Sequence, residues 1–230
     1  SSQCGVLLLC DGAKQAATAF DMGVDEVAPS DADPQEIALR LSAVLRRTRD
    51  AESRRLSLHE GLRLAVTDPL TGLHNLRHAE RELGQIAERA RRTQQPFALL
   101  FIDLDRFKQV NDRHGHAAGD HVLIAVAAAL SAALRPGDML ARIGGEEFLL
   151  ALPGLDLDHA RAVAERLCDR VRALEITLAQ GPVIGVTVSI GLAIGTGTEP
   201  VNGLRDRADR ALLLAKSKGR NRVATDRHAA

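Results

Sequence analysis

The sequence predicts an α/β protein in which helices flank a mixed central sheet. Apolar runs of strand length alternate along the chain with longer segments of helical periodicity. The uninterrupted apolar run at 97–102 is typical of a strand buried on both faces. Two further apolar runs flank Gly144 and Gly145 and predict an antiparallel hairpin, whose glycines would adopt the positive φ of a two-residue turn. Because this hairpin lies within an alternating strand and helix pattern, we expect a mixed sheet.

Composition and charge narrow the classes of function. Thirty basic and thirty acidic residues cancel in a chain of 230 residues, so nothing global favours a nucleic acid polymer or an anionic membrane as partner. The cysteines follow no metal-like spacing and are interpreted as reduced packing residues: Cys4, Cys10 and Cys168. No run approaches the roughly 18 apolar residues of a membrane span, and no signal-peptide pattern opens the sequence. We therefore expect a soluble, cytoplasmic protein.

Three regions are predicted along the chain, namely a strand and helix segment at 1–47, a helical stalk at 48–66 and a larger domain at 67–230. The stalk carries many charges and few apolar residues, so it fits a single solvated helix as well as a dimeric coiled coil. Pro69 and Gly72 break the helix and mark the start of the third region.

The first region begins with an apolar run at 6–9, predicted to be a strand buried on both faces of a parallel sheet. A helix at 13–22, a strand at 24–28 and a helix from Asp33 follow. This strand-helix-strand-helix order resembles the last half of a bacterial response-regulator receiver domain, and the run Ala-Phe-Asp-Met-Gly-Val-Asp-Glu at 19–26 resembles the end of its fourth helix and the start of its fifth strand. The resemblance leaves out the strands that carry the phosphorylated Asp in that family. It therefore implies a partial receiver-like segment that cannot be phosphorylated by itself.

Acidic side chains follow a predicted strand and the predicted turn. Asp103 ends the strand that begins at Phe97, at the carboxyl edge where open α/β sheets bind ligands. We expect Asp105 on the opposite side of the strand end, so that only one of these two carboxylates faces a metal. Glu146 and Glu147 follow the glycine pair. A few carboxylates that leave room for water and phosphate suit magnesium, although Gly-Gly-Glu-Glu alone fits an ordinary solvated hairpin equally well.

Other polar residues suit a purine nucleotide. We expect a helical turn at 106–110, a polar loop at 111–120 and a buried helix at 120–134. The loop residues Asn111 and Asp120 can accept hydrogen bonds from the guanine edge. Lysines and arginines can neutralise a triphosphate. Each residue also has a plain structural interpretation, as a turn residue, as a helix N-cap for Asp120, or as part of a solvated basic tail.

Four motifs, in order, resemble the GGDEF family of diguanylate cyclases. They are Asp68-Pro-Leu-Thr-Gly-Leu-His-Asn75, the segment from Phe101 through Asp103-Leu-Asp-Arg-Phe-Lys to Asp120, Arg142-Ile-Gly-Gly-Glu-Glu-Phe148, and Ala215-Lys-Ser-Lys-Gly-Arg-Asn221. The resemblance covers about residues 66–226. It implies a palm-like domain similar to nucleotidyl cyclases, which condenses two GTP into cyclic di-GMP and pyrophosphate. Leu76 departs from the family, which usually has Arg there.

The resemblance also implies roles for individual residues. The magnesium ligands, with manganese as an alternative ion, would be Asp103, the carbonyl of Leu104 and Glu146. The proton acceptor for the 3′-hydroxyl would be Glu146 or Glu147. The guanine site would comprise Asn111, His116 and Asp120. The side chains that contact or position phosphates would be Lys108, Arg142, Lys216 and Arg220. Since each domain would hold one GTP, catalysis would require a homodimer controlled through the stalk.

A regulatory site is implied as well. Arg135 and Asp138 have the spacing of an inhibitory product site found in many family members, and Arg166 falls where a second Arg can join it. The alternative is a charged turn closed by an internal ion pair. An alternative for the whole domain is a catalytically inactive module that binds cyclic di-GMP or GTP and signals through partners. The metal carboxylates favour the enzyme.

Overall fold

The computed structural model describes residues 4–178 and 182–226, with the side chains of 55–65 left out. The chain divides into two compact units, Ser1–Arg63 and Leu64–Ala230. Helix α2, at Pro34–Val66, contains the whole predicted stalk. Because most of the stalk side chains lie outside the described residues, the coiled coil stays a prediction.

The first unit has the predicted strand-helix-strand-helix order. Strand β1 (Leu7–Cys10), helix α1 (Ala13–Asp21) and strand β2 (Glu26–Pro29) precede α2, and the two strands pair in parallel. The prediction that the first strand is buried on both faces is wrong, since Leu8 and Leu9 are 41% and 46% exposed. Among the described residues this sheet has only two strands, and the other two residues of β1, Leu7 and Cys10, are half-buried.

The second unit is built on a mixed sheet, as predicted, which has six strands in the described part of the chain. Strand β4 occupies its middle and pairs antiparallel with β6 and β9, whereas β10 pairs with β9 and β3 with β5 in parallel. The strand order is β10-β9-β4-β6-β5-β3. The strand bounds are His74–Asn75 (β3), Phe97–Leu104 (β4), Met139–Arg142 (β5), Glu147–Pro153 (β6), Val188–Gly195 (β9) and Val223–Thr225 (β10), while Ile176–Thr177 (β7) and Val183–Ile184 (β8) form a separate hairpin.

Two helical layers cover the sheet. Odd-numbered side chains of β4, such as Phe101, pack with helices α3 (Leu76–Thr93) and α7 (Val201–Ser217). Even-numbered side chains, such as Ile102, pack with α5 (His116–Ser131) and α6 (Leu157–Arg172). Because successive strand residues point to opposite faces, every residue of β4 is buried, as predicted.

Two predicted element bounds are wrong. Helix α4 spans Phe107–His114 and α5 begins at His116, so most of the predicted loop at 111–120 is helical. Gly115 separates the two helices with a φ of 82°, a conformation that other residues rarely adopt. No described helix is long and apolar enough to cross a bilayer.

Candidate active site

Strand register brings the predicted metal ligands together. Asp103 lies opposite Glu147 in the antiparallel pair of β4 and β6. One residue further on, the N–H of Leu104 donates to the carbonyl of Glu146 at 3.2 Å. These positions lie at one end of the sheet, where β4 ends. Because β4 is an inner strand, β6 and β9 flank it on its two sides.

The turn that carries Gly144 and Gly145 differs from the prediction. It spans 143–146, and the N–H groups of Ile143 and Gly144 lie 2.9 and 3.4 Å from the carbonyl of Glu147. Neither glycine has a positive φ, because the longer turn spreads the chain reversal over four residues. A Cβ at Gly145 would meet no atom within 4 Å, so the space beside the turn is open.

Asp103 faces helix α7 because it shares the odd-numbered face of β4. The Nζ of Lys216, in the last turn of α7, lies 2.8 Å from the Oδ2 of Asp103, whose side chain is 6% exposed. Burial nevertheless raises the pKa of Asp103, with a further contribution from the charge of Asp105, against the opposing effect of Lys216. The ion pair therefore only partly offsets the cost of burying this carboxylate.

Glu146 experiences a similar environment. Burial raises its pKa, and the negative charges of Asp103 and Glu147 raise it further. Two neighbouring carboxylates whose ionised forms are both disfavoured are suited to a divalent cation, which would stabilise both in the ionised form. Among the described residues no three His, Cys, Asp or Glu side chains converge as a metal cage. A pair of carboxylates with one carbonyl leaves coordination positions for water and phosphate, as magnesium prefers.

Asp105 serves a different set of partners. Its carboxylate accepts hydrogen bonds from the hydroxyls of Thr187 and Ser189, each at 2.6 Å, and from the N–H of Asn221 at 3.0 Å. These contacts agree with the expectation that only one of the two aspartates faces a metal. The alternation of side chains along the strand is not the reason for it. Side chains two apart share a face in a regular strand. The aspartates diverge because β4 ends at Leu104.

Arg142 is held by protein groups. Its Nη1 donates to both carboxylate oxygens of Asp68 at 3.1 and 3.2 Å, and its Nη2 and Nε donate to the carbonyl of Gly145 at 2.8 and 3.3 Å. These contacts suit positioning of the turn rather than direct phosphate contact. Asp68 belongs to the first motif, but its contact with Arg142 was not predicted, because nothing in the sequence pairs residues that lie 74 positions apart.

The residues predicted to bind guanine lie on neighbouring helices. Asn111 of α4 packs on Gly119 of α5, where a Cβ would lie 1.9 Å from the Asn111 Oδ1. This buried oxygen has no hydrogen-bond partner in the described part of the chain. A buried acceptor without a partner is costly, and a ligand N–H would satisfy it.

The alternative role of Asp120 as a helix N-cap is wrong. Helix α5 begins four residues earlier, at His116, and Gly115 occupies the cap. His116 and Asp120 are separated by one turn, which places them on the same face of α5. Both side chains are exposed and therefore accessible to a ligand.

The remaining predicted phosphate contacts lie on both sides of the sheet end. Lys108 is an exposed residue of α4. Arg220 follows α7 in a left-handed conformation, with a φ of 62°, and its charge lowers the pKa of Asp103. Arg220 and Lys216 supply positive charge around the buried carboxylate.

The predicted inhibitory residues also lie together, in an ion-paired state. The Nε of Arg135 lies 3.1 Å from the Oδ1 of Asp138, and its Nη2 donates to the carbonyl of Pro153 at 2.6 Å. Arg166, on α6, donates to the carbonyl of Ala133 at 3.2 Å. The internal ion pair of the alternative interpretation is therefore present, and the inhibitory role stays a prediction.

Comparisons with known proteins agree with the motifs. A family model described as diguanylate cyclase, GGDEF domain, matches residues 65–222. The response regulator PleD of Caulobacter vibrioides is 39% identical over 208 residues, which cover 89% of this chain and 46% of PleD. Diguanylate cyclase DgcM of Escherichia coli K12 is 44% identical over 158 residues, which cover 68% of this chain and 37% of DgcM. The chain thus spans less than half the length of these relatives.

A solved structure has the same fold. The crystal structure of the coiled coil and GGDEF domain of DgcB from Caulobacter crescentus, in complex with c-di-GMP, matches with a TM-score of 0.72 at 30% identity, over 80% of this chain and 97% of that one. The match to PleD extends beyond the 65–222 segment, in agreement with the receiver-like resemblance of the first unit. Since the family model covers more than half of the sequence, this chain belongs to the GGDEF family of diguanylate cyclases.

Proposed function

We propose that this chain is an active diguanylate cyclase, which condenses two GTP into cyclic di-GMP with release of pyrophosphate. The observation that carries the proposal is the juxtaposition of Asp103 and Glu146 at one end of the sheet, where burial raises the pKa of both carboxyls and the charge of Asp103 raises that of Glu146 further. A module that only bound nucleotide would gain nothing from keeping two costly carboxylates together.

The metal would be held by Asp103, the carbonyl of Leu104 and Glu146. Magnesium or manganese, when bound, would lower the pKa of the 3′-hydroxyl and stabilise charge on the phosphates. Glu146 or Glu147 would accept the proton from that hydroxyl.

The rest of the site would bind and orient GTP. The carboxylate of Asp120 accepts from guanine N1–H and N2–H2, which adenine does not offer as a pair, and the buried Oδ1 of Asn111 supplies a further acceptor. His116 lines the same side. Lys108, Lys216 and Arg220 would neutralise the triphosphate.

Two copies of the chain would act together. One domain offers one set of guanine, metal and phosphate residues, whereas the reaction joins two GTP molecules. We therefore infer that two domains face each other, so that the 3′-hydroxyl held by one meets the α-phosphate held by the other. The long helix α2 is a suitable element for controlling this approach.

Product inhibition would use the turn at Arg135 and Asp138, with Arg166. Arginine can bind guanine O6 and N7 or a phosphate through two nitrogens, and Asp138 can accept from the guanine edge. The side chain of Arg135 is 55% exposed and therefore accessible to the product, whereas Asp138 is 5% exposed and keeps a hydrogen bond from the backbone N–H of Arg135.

The test is incubation of the purified protein with GTP and magnesium, followed by chromatography and mass analysis of the nucleotides. We expect cyclic di-GMP and pyrophosphate from the wild type and no turnover by Glu146→Ala, which should still bind cyclic di-GMP. No turnover by wild-type protein that is freed of product and concentrated, together with binding of cyclic di-GMP, would instead favour the inactive receptor. Full activity of Glu146→Ala would refute the site.

A further inference from the structure

Two histidine rings stack at the start of helix α3. His74 is the first residue of β3, and His78 lies in the first turn of α3. Their ring centroids are 4.0 Å apart, and the ring planes differ by 22°. Both side chains are half-buried, and the buried Nδ1 of His74 has no hydrogen-bond partner among the described residues. Neither ring has a role in the proposed reaction.

A hydrogen bond fixes the protonation state of His78. Its Nδ1 lies 3.0 Å from the Nη2 of Arg81. Because a guanidinium has only donors, the Nδ1 is the acceptor in this contact, and it can accept only while it carries no proton. A proton added there would break the hydrogen bond and place an imidazolium against the guanidinium. The contact therefore requires a neutral His78 ring.

The surroundings of His78 also disfavour its charged form. Burial lowers the pKa of His78, and the charges of His74 and Arg81 lower it further. In the described part of the chain, Glu82 is the group that acts in the opposite direction. His78 is also the third residue of α3, where the N-terminal end of the helix dipole opposes a positive charge.

Two charged groups on the elements that pack against α3 have partners of their own. Arg142 of β5 is paired with Asp68 at 3.1 Å, and Arg205 of α7 is paired with Glu80 of α3 at 3.3 Å. Apolar side chains of β5 and β6 fill the contact with this helix, namely Met139, Ala141, Leu149 and Ala151. These neighbours therefore do not offset a charge on the histidine pair.

The histidine pair lies where α2 joins the larger sheet. His74 forms an isolated backbone bridge with Thr67, the residue that follows α2. The Oδ1 of Asn75 caps α3 by accepting from the N–H of His78 at 2.9 Å, and its Nδ2 donates to the carbonyl of Thr67 at 3.4 Å. Asn75 is also in register with Arg142 of β5. A displacement of His78 would therefore disturb the cap of α3 and the contacts that hold the end of α2.

We propose that the stacked pair of His74 and His78 is a pH-sensitive latch, which holds the joint between α2 and the sheet at neutral pH and loosens it in acid. Proton uptake by His78 breaks the hydrogen bond from Arg81 and adds a cation at a helix N-terminus. Because the folded state resists a proton that the unfolded state accepts, the stabilisation is complete above the ordinary histidine pKa, about 6.5, and is lost as the pH falls below it. A signal that passes through α2 would thus enter a joint whose rigidity depends on pH.

The test is hydrogen exchange of the full chain, read by mass spectrometry in peptides that cover 67–83 and corrected for intrinsic exchange rates. On changing the pH from about 7.5 to about 5.5, we expect protection of these amides to fall roughly two- to fivefold, as for one unfavourable charge at a helix N-terminus. His78→Gln is neutral at both pH values and should abolish this change. His78→Lys is charged at both and should lower protection already at the higher pH.

The matched control is His121→Gln, which replaces an exposed histidine on α5 and should keep the wild-type pH dependence. Equal protection of wild type at the two pH values would overturn the latch, as would a pH dependence that persists in His78→Gln. If the His78 variants fold poorly, NMR titration of the wild-type ring decides: we expect the His78 signal to titrate below about 6.5, and titration at or above that value would overturn the proposal. These measurements need no nucleotide, so their outcome is independent of the proposed cyclase activity.

Discussion

The guanidinium of Arg142 joins the carboxylate of Asp68 to the carbonyl of Gly145. Both side chains are largely buried, with exposures of 14% for Arg142 and 17% for Asp68. Asp68 also accepts hydrogen bonds from the N–H and hydroxyl of Thr71. Burial acts to raise the pKa of this carboxyl, but the hydrogen bonds from Thr71 and Arg142 outweigh burial and lower the pKa. The link connects the segment that follows α2 to the turn that carries Glu146.

Replacing Arg142 should therefore disturb both stability and catalysis. We expect Arg142→Ala to lower the free energy of unfolding by about 2 kcal/mol, because it leaves a largely buried carboxylate without its partner. Arg142→Lys keeps the charge but cannot reach both Asp68 and Gly145 in a fork, so turnover should fall although the fold is retained. Urea denaturation and initial rates measure the two effects.

The matched control for this prediction is Arg161→Ala, which removes an exposed arginine paired with Glu165 on α6. Its unfolding free energy should change by less than about 0.5 kcal/mol. Equal effects of the two substitutions would show that the link to Gly145 contributes no more than a surface ion pair.

The raised pKa of Glu146 predicts a pH-dependent gain in stability for Glu146→Gln. Between the ordinary glutamate pKa, about 4.3, and its higher folded value, the folded state keeps a proton that the unfolded state has released. Wild-type stability attributable to this group therefore falls as the pH rises through that interval. We expect Glu146→Gln to have the higher thermal midpoint at neutral pH, with a smaller difference near about pH 4.

Magnesium should reverse this order, since a cation stabilises the ionised carboxylates. Added magnesium is expected to raise the midpoint of the wild type more than that of Glu146→Gln. Glu147→Gln, at an exposed neighbouring position, is the comparison and should have the smaller effect without metal, since it removes only one of the charges that raise the pKa of Glu146. A lower midpoint of Glu146→Gln than of wild type in metal-free neutral buffer would contradict the prediction.

Gly119→Ala should damage guanine binding without unfolding the protein. The added methyl would lie 1.9 Å from the Oδ1 of Asn111, so that side chain must move. We expect the KM for GTP to rise roughly tenfold, as for the loss of one hydrogen bond to the base. Gly119→Ala should also prefer GTP over inosine triphosphate, which lacks the N2 amino group, less strongly than the wild type does.

The control for Gly119→Ala is Gly84→Ala, on helix α3. A Cβ there meets no atom within 4 Å, so this substitution gains helix propensity, up to about 1 kcal/mol, without a clash. It should leave the KM for GTP unchanged. If Gly119→Ala also left it unchanged, Asn111 would not be a base contact.

Arg135→Ala should relieve inhibition by cyclic di-GMP. Loss of a guanidinium that binds the product through two nitrogens should raise the inhibition constant by tenfold or more. Progress curves that slow as product accumulates for wild type should stay linear for longer in the variant. The exposed Arg161→Ala again serves as the control, and inhibition of equal strength in Arg135→Ala and wild type would place the product elsewhere.

Local patterns predicted the elements of this fold better than their ends. The apolar run that begins at Phe97 predicted the central strand, because a strand covered by helices on both faces must be apolar throughout. The loop predicted at 111–120 is mostly helical, since its polar residues and two glycines interrupt the helical backbone only at Gly115. Packing against other elements decides such bounds, and it is not visible in a local window.

The sequence by itself determined the mixed α/β fold, the family and the candidate residues, because periodicity and motif spacing are properties of neighbouring positions. Tertiary structure decided which of these residues meet. It placed Lys216 on Asp103, gave Asp105 to Thr187, Ser189 and Asn221, and engaged Arg142 with Asp68. These contacts join residues far apart in the chain. They depend on strand order and register, which only the folded sheet establishes.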